Sequence, residues 1–430
     1  MKVIFRQVNL LHPLENIDTK ETDIMLIDGR ISKIGKLTLE ESKGARGYDF
    51  RNKTIVPGFF DMHVHLREPG REDEETVNSG CNSAAAGGFT GIACMPNTEP
   101  AIDSAEIISL IKRKSFEHLV DVFPIGAATL GRKGDVISPM AELKDAGAVG
   151  FSDDGVAIKS ASILRRAMEY SLMYNLPIIE HCEEESLGGG AMNEGINSTI
   201  LGLPPIPSVS EDIIVSRDIL MAEYTGGKLH IAHISTKKSI EMVREAKTRG
   251  LRVTAEATPH HFTLTDDYLK TYDTNLKMNP PLRSQNDLDA VIEGLKDGTI
   301  DCIASDHAPH SPEEKESEFE YAPNGIIGLE TEVGLTLSEL YHKKHLSLAQ
   351  IIDKLSINPR KILNIPIPSF KAGEIANFTV LNPDEIWTVD ISKFKSKSNN
   401  SPFGKKLING RAAAVINKSK MYYEGEDVLL

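Results

Sequence analysis

Short apolar runs alternate with helical stretches through the whole middle of the chain, from about residue 58 to residue 365. Eight strand-like runs appear in order: FFDMHVHL, TGIACMP, DVFPIGAAT, GAVGFSD, PIIEHC, KLHIAHIS, RVTAEATPHH and DCIASDH. Between them lie helical stretches such as SAEIISLIKRKS, SASILRRAMEYSLMYN, SIEMVREAKTRG and QNDLDAVIEGLKDG. Eight strands alternating with helices are what an α/β fold of the (β/α)8 TIM-barrel type requires. A doubly wound open sheet competes, but no glycine-rich phosphate fingerprint follows the first strand. Gly87 and Gly88 precede a strand and do not open a helix, so they read as turn residues.

By length alone, 430 residues would suggest roughly two or three domains. The alternation instead assigns residues 58–365 to one large barrel. Residues 1–57 have a different texture of short β-rich runs, with a strong hairpin signal at Asp28-Gly29. The same texture returns in residues 366–430, with turns expected at Asn409-Gly410 and near Asn417-Lys418. Chain ends often lie close together. The two ends are therefore expected to pair into one small composite β domain.

Hydrophobic residues at 40% and charged residues at 26% exclude a disordered or fibrous chain. Acidic residues outnumber basic ones by 62 to 48, giving a formal net charge of −14. That balance argues against a nucleic-acid partner. The four cysteines (Cys81, Cys94, Cys182, Cys302) are far apart, as in a reduced intracellular protein. The first residues, MKVIFRQVNLLHPLEN, are interrupted by Gln7 and Asn9 and read as a strand, not a secretory leader. No apolar window approaches the length of a membrane span. A cytoplasmic enzyme fits best.

The chemistry sits at the strand ends. Asp61, His63 and His65 are two apart, so a strand would place them on one face. Asp153 and Asp154, His181, His233 and Asp306 fall at or near the C-terminal ends of other barrel strands, the face where such barrels build active sites. A lone buried group there is ordinarily satisfied by a hydrogen bond. Five strands converging would strand several polar groups, at about 1–3 kcal/mol each, and a divalent metal satisfies them together. Imidazole and carboxylate ligands without thiolates suit zinc. Four histidines and two carboxylates exceed one tetrahedral ion and suit two ions sharing a carboxylate. His63, His65 and Asp306 are expected on one ion and His181 and His233 on the other. One of Asp153 and Asp154 would bridge, since adjacent strand residues face opposite ways. His230, three positions before His233, is expected on the opposite side as a structural residue. His307 should turn away from the metal and hold its loop, and His260 and His261 read as structural. Cys94 and Cys182 read as packing, and PEEKESEFE as a solvated charged loop.

Four motifs carry a family resemblance: Asp61-Met62-His63-Val64-His65-Leu66-Arg67-Glu68-Pro69-Gly70, Met95-Pro96-Asn97-Thr98, Lys277-Met278-Asn279-Pro280-Pro281-Leu282 and Ser305-Asp306-His307-Ala308-Pro309-His310. In order and spacing, from about residue 50 onward, the chain resembles the dihydroorotase family of the amidohydrolase superfamily. Asp-x-His-x-His alone would mark only the superfamily. The resemblance implies a two-zinc barrel with a flanking β domain. It also implies reversible interconversion of N-carbamoyl-L-aspartate and L-dihydroorotate in pyrimidine synthesis. It selects Asp154 as the bridge. Many superfamily relatives bridge through a carboxylated lysine, which Phe151–Gly155 lacks, as in Asp-bridged bacterial forms. Asp306 would accept the attacking water's proton and pass it to the leaving ring nitrogen.

On the substrate side, the resemblance implies contacts from His65, Arg67, Asn97 and His310. Arg67 offers a two-pronged contact to the substrate carboxylate, against the plainer reading of a surface ion pair with Glu68. Asn279 and the Asn324-Gly325 loop would face the ring. A homodimer and an association with aspartate transcarbamoylase are the expected assemblies. A hydantoinase or allantoinase is the competing enzyme, disfavoured by the missing lysine and by Arg67. An inactive scaffold paralogue is the other rival, disfavoured because no ligand is lost.

Overall fold

The computed structural model of the chain describes residues 1–430. Each of the eight strand-like runs holds a parallel strand: Phe59–Val64, Phe89–Cys94, Asp121–Pro124 continuing as Gly126–Ala127, Phe151–Ser152, Ile178–Glu180, Leu229–Ile231, Val253–Ala257 and Cys302–Ile303. Neighbours pair in sequence order. The circuit closes through a parallel bridge between Val64 and His307, where His65 N donates to His307 O at 2.9 Å. A helix follows each strand: Val77–Gly87, Ala105–Ser115, Met140–Ala146, Ala161–Met173, Val209–Thr225, Lys237–Thr248, Gln285–Asp297 and Leu329–Thr336. This is the α/β barrel expected from the sequence.

Local chemistry explains several of these boundaries. Thr76 and Ser79 form a reciprocal capping box that starts the first helix, and Thr236 caps the sixth through Ser239 N. Gly87 lies where a Cβ would stand 2.1 Å from the Leu329 carbonyl, so the first and last helices touch closely. Side-chain alternation divides the core. Phe59 and Ile178 join the 60-residue cluster between strands and helices. Their neighbours Phe60 and Ile179 join a 12-residue cluster with Met62, Ala93, Ala232 and Ala304 inside the barrel.

Strands from both ends of the chain meet in one nine-stranded sheet. At the seam, Thr54–Pro57 runs antiparallel to Asn377–Thr388, with Phe378 opposite Pro57. An apolar cluster of 17 residues, including Phe5, Ile55, Phe378 and Ile416, lies against this sheet. Asp28 and Gly29 both adopt positive φ and join Ile17–Ile27 to Arg30–Ile34, as their hairpin signal predicts. Asn409-Gly410 is not a turn: Leu407–Asn417 passes through it as a single strand. Asn382 pairs with Arg411 and Ile386 with Asn409, so three partner residues bulge opposite Gly410, whose φ is +86°. All four cysteines are buried and unpaired. No helix is long and apolar enough to cross a membrane.

Candidate metal centre

At the C-terminal mouth of the barrel, His63, His65, Asp154, His181, His233 and Asp306 come together, all buried. Asp154 is common to two groups of potential ligands, one with His63 and His65 and one with His181 and His233. Its Oδ1 lies 3.4 Å from His63 Nε2 and 3.8 Å from both His181 Nδ1 and His233 Nε2, while its Oδ2 lies 3.6 Å from His65 Nε2. Asp306 Oδ1 stands 3.0 Å from His65 Nε2 and 3.5 Å from His63 Nε2. Asp153 turns away, accepting from Thr129 N at 2.9 Å and Thr129 Oγ1 at 2.5 Å.

Enclosed polar atoms without partners test whether this donor set fits a metal. His63 Nε2, Asp154 Oδ1 and His233 Nδ1 make no hydrogen bond, a condition that costs about 1–3 kcal/mol per group. The first two face the cluster, and a set of imidazole nitrogens and carboxylate oxygens fits a divalent metal ion. Burial alone would push His63 down and the two aspartates up. Instead Asp154, Glu256 and Asp306 hold the His63 imidazole well above its ordinary value. His63, with His233 or His65, holds Asp154 and Asp306 below the carboxylate range. Backbone strain is concentrated here too: Arg67, His233 and Asp306 have φ of +59°, +32° and +48°. Such conformations cost on the order of 1–3 kcal/mol each and persist only where the surroundings enforce them.

Carboxylates and amides behind the cluster set its imidazoles. His63 Nδ1 donates to Glu256 Oε1 at 2.6 Å, and His65 Nδ1 to Asn97 Oδ1 at 2.8 Å. Each bond turns Nε2 toward the cluster, and in the neutral imidazole that binds a metal it would keep the remaining proton on Nδ1. Glu256 also meets His230 Nε2 at 3.1 Å and accepts from His233 N at 3.3 Å. His230 therefore belongs to the network beneath the site and does not point to the opposite side. The strand ends at Ile231 and His233 is left-handed, so alternation cannot be carried across from one to the other. Asp61 likewise leaves the ligand face, because the ladder shifts between Asp61 and Val64. It accepts instead from the backbone of His63 and from Ser305. His307 does hold its loop, accepting from Gly328 N at 3.2 Å. His261 is tied to Thr258 and the Pro280 carbonyl, whereas His260 Nε2 is buried without a partner.

The substrate-facing candidates form a rim. Arg67 does not pair with Glu68, which binds Lys114 and Val77 N. Its Nε lies 3.0 Å from Glu74 Oε2 and donates to the Pro309 carbonyl at 3.1 Å, and its Nη2 lies 3.4 Å from His310 Nε2. His310 Nδ1 lies 3.0 Å from Glu74 Oε1, and its Nε2 donates to the Asn324 carbonyl at 2.8 Å. Asn279 Nδ2 donates to Glu183 Oε2 at 2.7 Å, beside His181. Gly325 spends its N–H on the Lys277 carbonyl and its own carbonyl on Asn400. PEEKESEFE is not simply solvated. Lys315 is buried, its Nζ donating to the Thr274 and Pro323 carbonyls, and Phe319 is buried as well.

Glu74, Glu183 and Glu256 escaped the sequence reading. Only Glu256 had a signal, a carboxylate between Ala255 and Ala257 in an otherwise apolar strand. The other two lie on loops.

A parallel barrel whose mouth gathers histidines and aspartates this way has the architecture of the metal-dependent cyclic amidohydrolases. The L-hydantoinase (dihydropyrimidinase) of Arthrobacter aurescens superposes with a TM-score of 0.86 at 25% identity, over 100% of this chain and 97% of that one. The dihydroorotase of Pelotomaculum thermopropionicum is more similar in sequence, 47% identical over 417 residues and 97% of each chain. That of Trichlorobacter lovleyi is 47% identical over 427 residues, covering 99% of this chain and 100% of its own. A family model described as dihydro-orotase-like matches residues 52–239. The chain belongs to the dihydroorotase family.

Proposed function

We propose that the chain interconverts N-carbamoyl-L-aspartate and L-dihydroorotate reversibly, as a step of pyrimidine synthesis in the cytoplasm. The observation that carries this reading is the placement of a partly buried guanidinium, Arg67, on the rim of the metal cluster. An anionic cyclic amide needs both, whereas hydantoin carries no carboxylate to engage the cation.

His63, His65 and Asp306 would hold one zinc ion and His181 and His233 a second, with Asp154 shared. A metal bound there would supply Lewis acidity, lowering the pKa of a water toward neutrality and polarising the amide carbonyl. Asp306, kept ionised by the imidazoles that outweigh its burial, accepts the water's proton and delivers it to the ring nitrogen as the amide opens. In cyclisation the same carboxylate takes the proton from the carbamoyl nitrogen. Arg67 receives the substrate carboxylate through its Nη atoms, flanked by His310, Asn97 and His65. Asn279 and the Asn324-Gly325 loop face the ring. At Gly325 the absence of a side chain matters, since a Cβ would stand 2.7 Å from Ala308 Cβ and 3.3 Å from His310 Nε2.

A homodimer is part of the proposal, supported by apolar side chains exposed along Val209–Thr225: Val209, Ile213, Leu220 and Tyr224. Aspartate transcarbamoylase as a partner rests on the resemblance alone. Purified protein should open L-dihydroorotate with a far higher kcat/KM than hydantoin or dihydrouracil, and elemental analysis should find two zinc ions per chain. A preference for hydantoin would make it a hydantoinase. A metal-free, inactive preparation that zinc does not restore would make it a scaffold.

A further inference from the structure

Glu74, His310 and Glu314 bring three ligand atoms within reach of one cation. The cations between them belong to the protein, Arg67 and Arg71. Arg71 Nη2 lies 3.1 Å from Glu74 Oε1 and 2.9 Å from Glu314 Oε1. This cluster is therefore an ion-pair network, and Glu74 is its centre. Its carboxylate is almost completely buried, and its two oxygens are divided between the two side chains proposed to hold the substrate carboxylate. Oε2 takes Arg67 Nε at 3.0 Å and Oε1 takes His310 Nδ1 at 3.0 Å.

We infer that Glu74 is the positioning residue of the substrate-carboxylate clamp, an inference that rests on the proposed role of Arg67. Tied at Nε by Glu74 and the Pro309 carbonyl, the guanidinium keeps its Nη atoms for an incoming carboxylate. Without Glu74 only the Pro309 carbonyl would hold Nε, and the guanidinium fork would be free to turn away from the incoming carboxylate. Through Arg71 and Glu314 the same carboxylate fastens the segment that leads to Asn324. Glu74 touches no reacting atom, so its effect belongs in substrate binding and not in the chemical step.

Glu74→Gln keeps the shape and removes the charge. It should raise KM for L-dihydroorotate and for N-carbamoyl-L-aspartate by about tenfold and leave kcat within about twofold, with an unchanged thermal melt confirming the fold. Arg67→Gln, measured beside it, should raise KM more. If Arg67→Gln raises KM and Glu74→Gln does not, Glu74 positions nothing and the inference fails while the clamp stands. An unchanged KM in Arg67→Gln refutes the clamp itself. A fall in kcat larger than the rise in KM in Glu74→Gln also overturns the inference, since it would place the residue in the chemistry or the fold.

Discussion

The metal cluster and the rim beside it are built from the same residue types and solve opposite problems. The cluster gathers five side chains from strand ends around Asp154, leaves His63 Nε2 and Asp154 Oδ1 without hydrogen bonds, and fixes the His63 and His65 rings from behind. The rim satisfies nearly everything it holds: Arg67, Glu74, His310 and the Asn324 carbonyl bond one another. A site that must take up a multiply charged ion presents unpaired donors on a rigid frame. A site that must release an organic anion at every turnover presents a cation already held by a carboxylate, leaving only part of its bonding capacity to the ligand. The contrast predicts that damage to the cluster abolishes chemistry, while damage to the rim weakens affinity.

The sharpest way to break that contrast is Asp306→Asn. The amide keeps the volume but cannot take a proton, so kcat should fall by about 10³-fold or more while the melting temperature changes little. Steady-state assays in both directions would measure it. A variant that retained kcat and lost only KM would put Asp306 on the rim and remove the distinction between the two regions.

Glu256 tests how far the cluster reaches into the barrel. It orients His63 through Nδ1 and engages His230 and the His233 backbone. Glu256→Gln should weaken zinc binding by about 10–100-fold, read as metal lost to a competing chelator at a fixed concentration. Activity at saturating zinc should recover substantially. If zinc affinity is unchanged, His63 is oriented by the strand alone and the second carboxylate is only packing.

The two regions also differ in how far the sequence revealed them. The barrel was readable because apolar runs and helices alternate, and a parallel strand needs its crossover. The cluster was readable because its side chains sit at strand ends, where motif and position coincide. Alternation failed where strands stop being strands. The shift at Asp61 and the left-handed φ of His233 broke the parity rule for Asp61 and His230. At Asn409-Gly410 a turn signal belonged to a bulge, because composition cannot distinguish a positive φ in a hairpin from one in a strand. On the rim, Arg67, Asn97, Asn279 and His310 stood in legible motifs, but the carboxylates that hold them were hidden. Glu74 and Glu183 lie on loops, and what makes them matter is contact with residues 236 and 96 positions away. Charge runs such as PEEKESEFE look solvated until a distant carbonyl claims one of their lysines.

That lysine gives the smallest and most specific prediction. Burial pushes the Lys315 amine down to about 7, with Lys277 adding to the effect and Asp273 and Glu314 opposing it. In the unfolded chain the same amine stays protonated to about pH 10.4. Between roughly pH 7 and 10.4 the unfolded chain therefore binds the extra proton, so this residue's contribution to stability rises with pH and is smallest below 7. Replacing it with methionine removes that slope. The melting temperature of the native chain relative to Lys315→Met should climb from about pH 7 to about pH 10.4, with little further gain beyond. A difference that is flat, or that falls with pH, would mean that Lys315 stays charged when buried. The carbonyls of Thr274 and Pro323 would then solvate an ammonium, and the segment leading to Asn324 would be anchored by charge, as the rim is.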